Sequence, residues 1–398
     1  MMKISVPHNW QPDLLDEIDL SAVGDFYGKL EGDAAGGGRA SNISVPITRK
    51  KLAEEIKRIH SRGLRFNYLL NATCADNLEL TRSMQNELAR LVDWLVEIGV
   101  DGVTVSLPYM LEYVRRRAPR FFLTVSTMAH VDSPEKARSW ESAGADKITL
   151  DEVTVNRNFA RLEAIRAAVR CKLQLIVNNN CLHDCPFTIA HAAAGSHASQ
   201  SGHSTKGFTL DFYRMYCLYT RLSDPAQFIR GDWIRPEDLR IYEDIGIDNI
   251  KLVSRGMSTA AMRRIVAAYT CRRYEGNFMD ILPSAGKSLV FTKGIGALRA
   301  LRYFFRPGSV NVFKLMRIKK ALSAMEGLVS IDNRSLDGFF ERLRCLGCCG
   351  KVPCHECRIC DETAESAVVV DKDKLARVCA DARAVIDSFV SGDIFRYH

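Results

Sequence analysis

The chain has 398 residues, a formal net charge of +8, an apolar fraction of 47% and 9% aromatics. That much apolar material excludes a disordered chain, and with no uncharged apolar run near 18 residues a spanning helix is not expected. The length suits a barrel of about 200–250 residues with an appendage, and the opening "MMKISVPHNWQPDLLDE", with no basic stretch leading into an apolar one, points to a cytoplasmic protein.

"KISVP" near the start and "VGDFYGKL" at 23–30 read as opening strands, and the Gly-rich "EGDAAGGGRAS" as a mobile loop after the second. Further strands are predicted in "RFNYLLNA" at 65–72, "FFLTVSTM" at 121–128 and "LQLIVNNN" at 173–180. Three stretches share one pattern: "GVDGVTVS" at Gly99, "GADKITLD" at Gly144 and "GIDNIKLVSR" at Gly246. Each follows a segment with apolar residues at three- and four-residue spacing, as in "NELARLVDWLVEI" and "RPEDLRIYEDI". The glycine suits a left-handed helix C-cap before a buried strand. Strands alternating with helices, each strand apolar almost throughout, imply a parallel sheet covered on both faces. No G-x-G-x-x-G or P-loop follows any strand, so a TIM-like (β/α) barrel is preferred to an open doubly wound sheet. The predicted division is a barrel over 1–270, a basic aromatic connecting region over 271–340, and a cysteine-rich metal-binding appendage with a terminal helix over 341–398.

Barrels of this kind place their active sites at the C-terminal strand ends. The residues expected there are Asn71, Cys74, Ser106, Ser126, His130, Asp151, Asn178, Asn179, Asn180, Cys181, Cys185, Lys251, Ser254 and Arg255. Arg255, Lys251 and Arg235 are candidates to hold a carboxylate or phosphate. His183 and His130 are candidates to move a proton, while Asn71, Asn180 and Arg235 are expected to contact substrate.

Thirteen cysteines in a chain read as cytoplasmic favour metal or redox chemistry over a disulfide framework. Cys181 and Cys185 form a C-x3-C pair on one loop, Cys217 follows the polar loop "AAAGSHASQSGHSTKG", and Cys74 leaves an adjacent strand at the same barrel end. A four-iron cluster needs about four thiolates from segments that a fold can gather. One hook plus two remote thiols fits zinc less well, although His183 is available. Cys171 and Cys271 read as core.

The second group, "CLGCCGKVPCHECRIC", contributes Cys345, Cys348, Cys349, Cys354, Cys357 and Cys360 within sixteen positions. The C-x2-C-x2-C rhythm of Cys354, Cys357 and Cys360 suits a second iron–sulfur cluster. Cys345/Cys348 and Cys357/Cys360 equally make two hooks of a zinc site. Two clusters would suit electron transfer, and so a possible electron-donor protein.

From Lys293 to Lys320 there are eight Lys/Arg and no acid. The stretch reads either as a solvated basic face or as a contact for RNA, an anionic lipid surface or another phosphate-bearing acceptor.

"NNNCLHDCP", "FNYLLNATC", "YGKL" followed by "GGGRAS", and "WIRPEDLRIYEDIGIDNIKLVSR" resemble the collagenase-like peptidases of family U32, over roughly residues 1–360. The resemblance implies a TIM-like barrel with a [4Fe-4S] cluster on four cysteines. It further implies oxygen-independent hydroxylation of a small aromatic or quinone precursor, or of an RNA base. Departures from the common family pattern are the C-x3-C spacing and the second cysteine group. Proteolysis is the alternative activity, but no G-x-S-x-G elbow or H-E-x-x-H helix accompanies it. A non-catalytic metal-binding adaptor for RNA or protein is the other alternative.

Overall fold

The computed structural model describes residues 2–253, 255–283, 311–324, 327–347 and 349–396. Eight strands close into one parallel barrel in sequence order: β1 (Lys3–Pro7), β2 (Val23–Gly28), β3 (Arg65–Leu70), β4 (Gly102–Val105), β5 (Phe122–Val125), β6 (Lys147–Thr149), β7 (Lys172–Ile176) and β8 (Asn249–Lys251). Closure is made by β1, which pairs with β2 on one side and β8 on the other. All eight strands fall where the apolar runs predicted them. The three repeated glycines adopt the left-handed conformation expected of helix caps, with φ of 82° at Gly99, 103° at Gly144 and 94° at Gly246.

Strand alternation sends Phe26, Val103, Leu123, Ile148, Leu173 and Ile250 outward into the apolar layer beneath the helices. The interior is polar, unlike the branched apolar filling usual in such barrels. Ser5 donates to Asp25, Gln174 Nε2 to Ser5 Oγ at 2.8 Å, and Thr149 Oγ1 to Gln174 Oε1 at 3.0 Å. A second pair, Thr104 to Asn67, completes the belt.

The Gly-rich loop after β2, expected to be mobile, is packed. Residues 33–37 are buried, with Gly36 N bound to Asp33 Oδ1 and Gly37 N to Ser199 Oγ, each at 2.7 Å. A Cβ on Gly38 would lie 2.3 Å from the Met128 sulfur. The glycines serve close backbone approach to the barrel rather than flexibility.

Two further expectations need correction. The start of the "polar loop" before Cys217, residues 192–197, is the end of the helix Thr188–His197, and Cys271, read as core, is exposed. Cys171 is half-buried, packed on the core's edge.

Beyond the barrel, β9 (Val329–Ile331) pairs antiparallel with β10 (Val368–Val370). Phe339 and Phe340 stack around Trp233 with ring centroids 5.8 Å away in each case, and Phe278 closes the same cluster at 4.6 Å. The terminal helix Lys372–Val390 lies along the helix Phe212–Ser223, where Phe389 meets Phe212 at 5.8 Å. Of the basic stretch, 293–310 lies outside the described residues. In the remainder Lys314 is buried and bonds Asp393 Oδ1 at 2.8 Å, so it is not a free phosphate contact, whereas Arg317 and Lys320 are exposed. No helix among the described residues is long and apolar enough to cross a membrane.

Candidate active site at the barrel mouth

The three asparagines behind β7 each do a different job. Asn178 bridges to the end of β8, donating to Val253 O at 2.6 Å and accepting from Val253 N at 2.8 Å, which continues the strand pairing through a side chain. Asn179 Nδ2 lies 3.0 Å from Glu152 Oε1 and 3.2 Å from Cys181 Sγ, so it orients the thiol. Asn180 is buried with Oδ1 unpaired, against Gly231, where a Cβ would come within 2.5 Å of that oxygen.

Cys181, Cys185 and Cys217 are neighbours, close enough for each of the two loop thiols to feel the charge of Cys217. Burial pushes the Cys181 thiol well above its ordinary pKa, with Glu152 and Cys217 adding to this and Arg221 opposing. Cys185 is raised by burial against a hydrogen bond from Phe187 N. Arg221, four residues after Cys217 and hence on the same helix face, is the cation beside both thiols. It escaped the sequence reading, although helical spacing from Cys217 could have found it.

Cys74 follows β3, which lies across the closed barrel from β7 and not beside it as the sequence suggested. Its Sγ accepts from Asp76 N at 3.3 Å and its carbonyl accepts from Gln200 Nε2 at 2.6 Å, just beyond the helix that follows the cysteine loop. Among the described residues, no three His, Cys, Asp or Glu side chains stand at metal-bonding spacing. Cys181, Cys185 and Cys217 are donors of the kind that an iron–sulfur centre takes.

Two histidine–aspartate pairs flank this site. His183 Nδ1 is 3.0 Å from Asp232 Oδ1, and His130 Nδ1 is 3.1 Å from Asp151 Oδ2. Burial pushes Asp232 up to about 7 despite His183, so this pair keeps a proton near neutrality. His130 is raised chiefly by its hydrogen bond to Asp151.

On the far side of the mouth lies a cationic group. Lys251 is buried, with Nζ 4.2 Å from the Tyr27 ring, and burial with repulsion from Lys147 lowers it to about 8. Tyr27 OH donates to Leu252 O at 2.6 Å, fixing the ring. Burial lowers both Arg39 and Arg255; Arg255 stands close enough to lower Arg39 further, while Tyr27, Tyr68 and Asp33 oppose the shift of Arg255. Lys29 pairs with Asp33 at 3.0 Å, and Asp33 also accepts from Tyr68 OH at 2.7 Å. Asn71 donates to Ser126 Oγ at 3.2 Å and leaves Oδ1 unpaired. Arg39 comes from the Gly-rich loop, whose apparent flexibility hid it, and Lys29 directly follows β2.

Arg235 does not join this group. Its guanidinium bonds Asn333 Oδ1 at 3.1 Å, Leu336 O and Asp337 Oδ1 at 2.6 Å, so it clamps the C-terminal segment instead of facing a substrate.

The second cysteine group lies beside the first. Cys345 ends the helix Phe339–Leu346, Cys349 occupies a left-handed turn at φ 59°, and Cys360 is buried at the start of the helix Ile359–Ala367. Cys348 lies outside the described residues. Cys354, Cys357 and Cys360 feel one another, and Cys354 also feels Asp184 of the C-x3-C loop. Beneath them Arg157, buried, stacks 4.5 Å from the Trp233 ring with Nε and Nη2 unpaired, and Arg230 pairs with Asp224 and Asp361. Burial raises Cys360 to about 11, with Arg157 opposing.

Comparison with known proteins places the chain in a family. The model for peptidase family U32 matches residues 37–273. An "uncharacterized protease" of Methanocaldococcus jannaschii is 30% identical over 319 residues, covering 80% of this chain and 82% of its own. The solved U32 peptidase Mk0906 is 25% identical with a TM-score of 0.49, covering 64% of this chain and 93% of that one. With a family match over more than half its length and a relative aligned along most of both chains, this protein belongs to peptidase family U32.

Proposed function

We propose that the chain is an iron–sulfur oxidoreductase that hydroxylates an anionic acceptor without dioxygen, with the cluster at the barrel mouth on Cys181, Cys185, Cys217 and Cys74. The observation that carries this reading is the gathering of three thiols from a β7 exit loop and a facing helix around Arg221, with no apolar reason for their company. When bound, such a cluster supplies electron exchange at a labile iron position. Asn179 orients the Cys181 sulfur. Arg255 and Arg39 supply the charge that would bind a carboxylate or phosphate. Lys251 Nζ, lowered to about 8, can hold or release a proton near neutrality. His130, oriented by Asp151, is a second proton carrier. The Cys354, Cys357 and Cys360 group would hold a second metal centre, its border with Asp184 suiting electron delivery.

The test is iron and acid-labile sulfide content after anaerobic purification, with the broad absorption near 400 nm expected of a cluster. Colourless protein with only zinc would reject it.

Proteolysis is the second reading, favoured by the two His–Asp pairs, each the base half of a hydrolytic triad. Among the described residues no serine or cysteine hydrogen-bonds to the free nitrogen of either histidine. Casein cleavage by the pure protein that disappears in both His183→Gln and His130→Gln would establish it over the redox reading.

A further inference from the structure

The end of the barrel opposite the mouth opens into a cavity of about 410 Å³. Lys147, on β6, lines it and is only 6% exposed. Among the described residues no hydrogen bond or ion pair reaches its Nζ; the nearest aromatic is Phe122, also lining the cavity, with its ring centroid 5.8 Å away. A buried ammonium without a counter-ion is costly, and proteins that retain one supply it with charge from elsewhere.

The surrounding groups do not supply that charge. Lys251, one layer above on β8 and 8% exposed, repels Lys147 and is likewise without a hydrogen-bonded or ion-paired partner among the described residues. Lys3, Arg65 and Lys172 stand around the same cavity, and Lys172 Nζ shares the Phe122 ring at 6.0 Å. Two carboxylates are present. Asp25 accepts from Ser5 and faces Lys251, while Asp101 is taken by His60 at 2.9 Å and by Phe66 N at 2.7 Å. Four cations against two engaged acids leave the cavity positive. Phe122, Leu20 and Leu64 add an apolar wall, and Asn67 and Asn249 add polar groups. The volume is that of small-molecule sites.

We propose that this cavity is a second ligand site, distinct from the barrel mouth, which takes a small organic anion with its carboxylate or phosphate on Lys147 Nζ and its apolar edge on Phe122. The rim cations Lys3, Arg65 and Lys172 draw the anion in, and Lys147 anchors it where water is scarce and a charge-assisted contact is strongest. Lys251 lies between this site and the mouth, so an anion beneath it would favour its protonated form.

The experiment is titration calorimetry of the full chain with phenyl phosphate, benzoate and inorganic phosphate, each at ionic strength matched with sodium chloride. Saturable one-to-one binding is expected for phenyl phosphate or benzoate, whichever head group fits, at least tenfold tighter than for inorganic phosphate, which lacks the ring. Lys147→Met should weaken it at least tenfold. The rim pair Lys3→Gln with Lys172→Gln should weaken it severalfold, and decides the matter alone if Lys147→Met does not fold. Absence of saturable binding for all three anions, or wild-type affinity in the folded variants, overturns the proposal.

Discussion

The two cysteine groups differ in what holds them. Cys181, Cys185 and Cys217 hang from a strand exit and a helix that the barrel fixes for its own packing reasons, whereas Cys345 to Cys360 occupy a mostly irregular segment between two short helices. The first group inherits its position from the core. The second depends on a base of aromatic and arginine contacts, Trp233, Phe339, Phe340, Arg157 and Arg235, and by this account on a metal. A scaffold-borne site should survive damage that a tail-borne site does not.

Phe340→Ala is the hardest test of that difference. The side chain is fully buried against Trp233 and Tyr242, so its loss should cost about 3–5 kcal/mol. Thermal unfolding should show the loss concentrated in the segment 329–370, read as faster amide exchange there than in β1–β8. Equal loosening of the barrel strands would erase the contrast.

Arg235→Met is next. It leaves Asn333 Oδ1 and the Leu336 carbonyl without their donor, at a cost of about 1–3 kcal/mol for each buried acceptor left unpaired. The tail cysteines should become more reactive to a thiol reagent while Cys181 keeps its wild-type rate. Uniform reactivity would place both groups on one cooperative unit.

How far the sequence carried these regions follows the same line. The eight strands were legible because most are short apolar runs set off by turns, and Gly99, Gly144 and Gly246 marked three of them. The convergence of Cys217 on the β7 loop was legible too, since the chain must return over the same mouth. Arg39 was not, because three successive glycines before it signal flexibility as strongly as close packing, and only tertiary contact with Met128 and Gln200 decides between them. Arg235 resembled a substrate arginine because its partners lie about a hundred residues away at 333–337. Arg157 and the polar barrel belt likewise depend on long-range neighbours that no local pattern encodes.

A smaller effect belongs to the barrel alone. His8 is fully buried, and burial, with Arg58, lowers its pKa to about 3. The unfolded chain then binds a proton below about 6.5 that the folded one refuses. Stability contributed by neutral His8 is therefore complete above that pH and falls by up to about 1.4 kcal/mol per pH unit on the way down to about 3. His8→Asn should flatten the acid limb of a pH–stability curve, and an unchanged limb would refute the assignment. Smallest of all, Lys314→Met, which removes the bonds to Asp393, should leave the iron and sulfide content unchanged.

The central claim is that the barrel thiols hold iron independently of the tail. Iron and sulfide per chain, measured after anaerobic purification of wild type, Cys181→Ala and Cys357→Ala, test it most directly. The account predicts that Cys181→Ala loses one cluster's worth of iron and sulfide, while Cys357→Ala keeps the barrel cluster and loses only tail metal. Full iron in Cys181→Ala, or wild-type protein without iron, would contradict it.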